Sequence, residues 1–93
     1  MLDLNTVLEL SNDIVLRGVG EKYWALNVST GNQYKINEVS YFILNQFRTP
    51  RSIELMIEEV AKEYSVTRAQ LEVDCMKVLQ FAVNQTLVKE VRT

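Results

Sequence analysis

KYWALNVSTGNQYKIN, residues 22–37, is the stretch whose reading decides the fold. Aromatic and aliphatic side chains fill its two ends, and Ser29-Thr30-Gly31-Asn32 interrupts them with turn formers. Gly31 can take the positive φ that a tight hairpin connection requires, so residues 22–28 and 32–36 are expected to pair as antiparallel strands. Working back from this hairpin, Asp13 to Val19 reads as another strand, led into the hairpin by a turn at Gly18 and Gly20. The segment Met1 to Leu10 is expected to add a further short strand.

Forward from the hairpin the period changes: from Glu38 to the end there is no Gly, and apolar residues recur at helical spacing. Asn37 suits an N-cap, and Val39, Phe42, Ile43 and Phe47 share one face of a helix ending near Arg48. Pro50 fits a turn or the first position of the next helix, where Ile53, Ile57, Val60, Ala61 and Tyr64 trace a second stripe. Thr67 and Gln70 have capping-box spacing and open a third helix, with Leu71, Cys75, Val78, Leu79 and Ala82 on one side. Leu87, Val88 and Val91 follow as a short terminal strand. The expected fold is α+β and winged-helix-like in outline, one domain over residues 1–93. A three-stranded antiparallel sheet (about 7–36) precedes three helices (about 38–48, 52–64 and 67–85).

Composition removes most chemistry. The 93 residues include no His, which deprives the chain of the commonest general base, and the lone Cys75 lies on the core side of a helix without a partner to activate it. Zinc-type metal sites cannot be assembled from one Cys and no His, and Glu54, Glu58, Glu59 and Glu63 read as a solvated helix face. Gly18, Gly20 and Gly31 form no phosphate-binding fingerprint. The chain is therefore expected not to be an enzyme and to need no cofactor. It has no signal-peptide pattern and no apolar run of the roughly 20 residues that span a bilayer, so a cytoplasmic location without membrane contact is expected.

Recognition by surface remains, and two surfaces compete. The second and third helices resemble a helix-turn-helix, which makes a winged-helix DNA-binding regulator the alternative reading. From Glu54 to Lys77, however, six acids stand against three bases, and the net charge of −2 supplies no general attraction for nucleic acid. The other surface is the outer edge of strand 32–36. If unpaired, its backbone groups would accept an extended peptide as an added strand. Alternation sets Tyr34 and Ile36 on one face and Gln33, Lys35 and Asn37 on the other. On the third helix, Asp74, Lys77 and Phe81 form a flank beside the core stripe that could wall a groove. An open edge also permits two copies to pair, so a monomer or a weak edge-paired dimer is expected.

Several short strings, in order, resemble the PqqD-like family, the recognition elements used in making ribosomally synthesised, modified peptides. Tyr34-Lys35-Ile36-Asn37 resembles the strand that enters the first helix, Ile43-Leu44 its following apolar pair, and Thr49 to Val60 the opening of the second helix. Asp74-Cys75 with Val78-Leu79 resembles a segment of the third helix, and Leu87-Val88 the closing pair. The hairpin from Tyr23 to Asn37 is most similar to stand-alone members of lasso-peptide systems. Val78 departs from a usual aromatic, Ala82 from a usual Leu, and Thr86 from a Gly that often ends the third helix. The resemblance implies that the leader segment of a precursor peptide adds to the third strand and packs on the third helix. It assigns peptide binding to Gln33, Tyr34, Lys35 and Ile36 on the edge and to Asp74, Lys77, Val78 and Phe81 on the helix. A separate tailoring enzyme, such as a leader peptidase or radical enzyme, would then receive the precursor.

Overall fold

The computed structural model describes residues 2–91; Met1, the start of the segment expected to add a strand, lies outside them. The chain runs β1 (Val7–Leu10), β2 (Ile14–Val19), β3 (Lys22–Asn27), β4 (Gln33–Ile36), α1 (Glu38–Asn45), β5 (Arg51–Ser52), α2 (Ile53–Glu63), α3 (Arg68–Asn84) and β6 (Val88–Glu90). This is an α+β fold with two three-stranded antiparallel sheets, ordered β2-β3-β4 and β5-β1-β6.

The second sheet adds to the expectation of one. Val7–Leu10 does not extend the hairpin sheet; it pairs with Arg51 and Ser52 on one side and with residues 88–90 on the other. β5 is too short to carry a strand signal, β6 falls within the terminal strand expected at Leu87 to Val91, and Leu8, fully buried, anchors the sheet to the core. Pro50 accordingly precedes a bridging strand rather than opening a helix, and Ser52 caps α2 by accepting from the Leu55 N–H at 3.2 Å.

The hairpin sheet forms for the reasons the sequence supplies. Gly31, at φ 80°, closes the β3–β4 loop by donating its N–H to the Asn27 carbonyl. Gly18 stands opposite Tyr23 in the ladder, and a Cβ there would sit 2.9 Å from the Tyr23 ring. The missing side chain lets Tyr23 lie flat enough to meet Tyr41 of α1, with ring centroids 4.6 Å apart. Ile14, Leu16 and Ala25 carry the inner face into the core.

The helices close over that face. Asn37 Oδ1 accepts from the Ser40 N–H at 2.7 Å, fixing the point where β4 becomes α1. Ile43, Leu44 and Phe47 from α1, Ile53, Met56, Ile57 and Val60 from α2, and Leu71, Cys75, Leu79 and Ala82 from α3 form the buried core. Met56 joins the α2 stripe where Ala61 was expected; Ala61 is exposed because it lies just past the edge of the buried arc. At the start of α3, Thr67 accepts from the Gln70 N–H at 3.2 Å, but the reciprocal half of the box is absent. The Gln70 side chain turns forward instead and donates to Asp74 Oδ1 at 2.9 Å.

The end of α3 shows how the chain copes without glycine. The Leu87 N–H bonds the Ala82 carbonyl at 2.8 Å and the Thr86 N–H the Val83 carbonyl at 3.0 Å, with Thr86 at φ 57°. That is a Schellman-type stop, and it forces a β-branched residue into the left-handed region. Ser11 Oγ donates to the Thr86 carbonyl at 2.7 Å and helps to hold it there.

Candidate functional site

The backbone bonding of β4 follows from its register. Asn27 donates to the Asn32 carbonyl at 2.9 Å, and on the opposite side of β3 Val28 donates to the Asp13 carbonyl at 2.9 Å. Residue pairs across an antiparallel ladder alternate between bonded and non-bonded, so Ala25 pairs with Tyr34 and Tyr23 with Ile36 through their backbones. The N–H and C=O groups of Gln33 and Lys35, facing away from β3, point outward. Among the described residues no strand lies beyond β4 in its sheet. The edge therefore offers two donors and two acceptors to an incoming strand.

Next to that edge lies an open groove of about 310 Å³, lined by Lys35, Ile36, Asn37, Ser40, Leu44, Lys77, Val78 and Phe81. Three elements build it. β4 contributes the edge, the turn of α1 after its Asn37 cap contributes Ser40 and the buried Leu44, and α3 contributes its wall. Phe81 remains 44% exposed, on a flank of α3 where Asp74 and Lys77 are exposed as well. Its ring meets Tyr34 edge-on, with centroids 6.1 Å apart, so Tyr34 supports it from below.

Of the residues singled out from sequence, Lys35, Ile36, Lys77, Val78 and Phe81 come together around the groove. Gln33 is exposed on the edge itself, and Tyr34 is half-buried beneath Phe81. Asp74 lies one turn before Val78, exposed and held by Gln70, outside the groove lining. The contribution of α1 was not anticipated. Asn37, Ser40 and Leu44 recur at helical spacing, the signal in the sequence for a face of α1 turned to the hairpin edge.

Two other features bear on chemistry. Burial, with a smaller effect from Asp74, pushes the Cys75 thiol up to about 11, which leaves it protonated and inert near neutrality. Arg68, on which a DNA-reading role would depend, is ion-paired at 3.1 Å with Glu72 and approaches Glu54 at 3.9 Å. No helix among the described residues is long and apolar enough to cross a membrane.

Comparison with known proteins gives a family and a fold. Residues 14–88 match the family of coenzyme PQQ synthesis protein D (PqqD). Among solved structures, TbiB1 in complex with the TbiA(beta) leader peptide superposes with a TM-score of 0.77 at 21% identity, covering 91% of this chain and 99% of that one. A lasso peptide synthetase B1 complexed with the leader peptide gives a TM-score of 0.74 at 16% identity, covering 88% and 96%. No curated protein matches.

Proposed function

The chain belongs to the PqqD family, and from that premise we propose that it is a non-catalytic adaptor for the leader segment of a ribosomally made precursor peptide. The leader adds as a strand to β4, bonding the outward N–H and C=O groups of Gln33 and Lys35. Its alternate side chains enter the groove between Ile36, Leu44, Val78 and Phe81. Main-chain bonds give a grip that tolerates sequence variation, and the groove gives selectivity. The observation that carries this reading is an unpaired strand edge lying directly against an apolar groove. Relatives of the same fold that were solved with leader peptides support it.

Held this way, the precursor reaches a separate tailoring enzyme, a leader peptidase or radical enzyme, at raised local concentration. The adaptor itself contributes no reacting group: the chain lacks His, and its one thiol is buried. The test is a titration of the isotopically labelled protein with a synthetic leader. Amide signals of residues 33–37 and of the α3 flank from Asp74 to Phe81 are expected to shift together. If they stay in place while the peptide binds elsewhere, the proposed site is wrong. Light scattering with and without the leader shows whether edge-paired dimers compete with capture.

A further inference from the structure

We propose that the captured peptide is selected by charge, through an acidic residue placed opposite Lys35 and flanked on both sides by apolar residues that enter the groove. The inference rests on the strand-addition reading and adds a sequence pattern to it. A strand added to β4 alternates its side chains between the two faces of the sheet. The residue directly across from Lys35 therefore shares the outer face with it, and its two neighbours point inward, beside Tyr34 and Ile36, to the groove.

The outer face has a composition that suits an acid there. Val15, Arg17 and Val19 of β2, Lys22, Trp24 and Leu26 of β3, and Gln33 and Lys35 of β4 project from it. Three of these are cations and none is a carboxylate, in a chain whose net charge is −2. Arg17, Trp24 and Lys35 stand in one cross-strand row, which an acidic side chain on the added strand would continue. Neither Lys35 nor Lys77 takes part in an ion pair among the described residues, and the groove lining holds no carboxylate. The nearest acid in sequence, Glu38, is not among the groove-lining residues. A basic residue opposite Lys35 would meet only like charge.

Selection from a displayed library of random twelve-residue peptides tests the pattern, with the full chain and its Lys35→Glu variant as baits. The full chain is expected to enrich an apolar–acidic–apolar triplet, and Lys35→Glu to enrich apolar–basic–apolar. A peptide selected on the full chain should bind Lys35→Glu about tenfold more weakly at low salt, since a cross-strand attraction becomes a repulsion. That difference should shrink in 0.5 M salt by screening. Apolar–x–apolar peptides without charge preference, or the same preference from both baits, would overturn the charge rule and leave strand addition standing. Binders indifferent to Gln33→Pro, or no binders at all, would overturn strand addition at β4 and the charge rule with it.

Discussion

Proline substitution separates the two sides of β4, and the structure fixes which position does what. At Gln33 the N–H faces outward, so Gln33→Pro removes no bond to β3, and stability should stay within about 1 kcal/mol of the parent. Leader capture should suffer. One edge hydrogen bond is lost, worth about 1 kcal/mol net, and the ring projects toward a strand that must lie about 4.8 Å away, costing about as much again. The sum, about 2 kcal/mol, weakens binding roughly 30-fold. At Tyr34 the effects invert. The Ala25 carbonyl loses its donor at about 1–2 kcal/mol, and the half-buried ring under Phe81 is lost at a similar cost. About 3 kcal/mol is a large part of the 5–15 kcal/mol typical of small domains. Urea unfolding and fluorescence anisotropy with a labelled leader measure the two quantities on the same preparations. If Gln33→Pro unfolds the protein while Tyr34→Pro does not, the strand faces the other way and the reasoning fails.

Other consequences follow from single residues. Thr86→Gly should raise stability by about 1 kcal/mol in urea unfolding, because glycine accepts φ 57° without a Cβ clash; an unchanged midpoint would mean that Thr86 is not strained. Phe81→Ala should cost no more than about 1.5 kcal/mol of stability, mostly its contact with Tyr34, yet weaken leader binding at least tenfold in anisotropy. Equal binding by that variant would remove Phe81 from the groove's working surface. Cys75, with its thiol pushed up to about 11 and no surface exposure, should resist a disulfide reagent at pH 8 and react fully once the chain is unfolded in urea. Rapid labelling of the native protein would show that the core around α3 opens readily.

The hairpin and the helices were legible in the sequence because each had a local cause: Gly31 for the loop, Asn37 for the α1 cap, and the 3.6-residue stripe of α3. The second sheet was not. Its β5 is two residues long and borrows its partner from the N-terminal segment, a pairing that no local pattern encodes. Likewise, the sequence led to an edge near Tyr34 but not to its hydrogen-bond parity, which depends on the cross-strand partners of Asn27 and Val28. The α3 wall was found as a flank left over from the core stripe. Asp74 shares that flank by spacing; it accepts from Gln70 and is not part of the groove lining. The α1 wall was missed because Ser40 carries no signal of its own and Leu44 reads as core.

The central claim, an outward edge on β4 that a peptide completes, is tested most directly by residue-resolved amide hydrogen exchange with and without leader. In the free protein, Gln33 and Lys35 amides should exchange quickly while Tyr34 and Ile36, bonded to β3, are protected; with leader bound, all four should be protected. Protection of Gln33 and Lys35 in the free protein, or no change there on saturation with leader, would contradict the account.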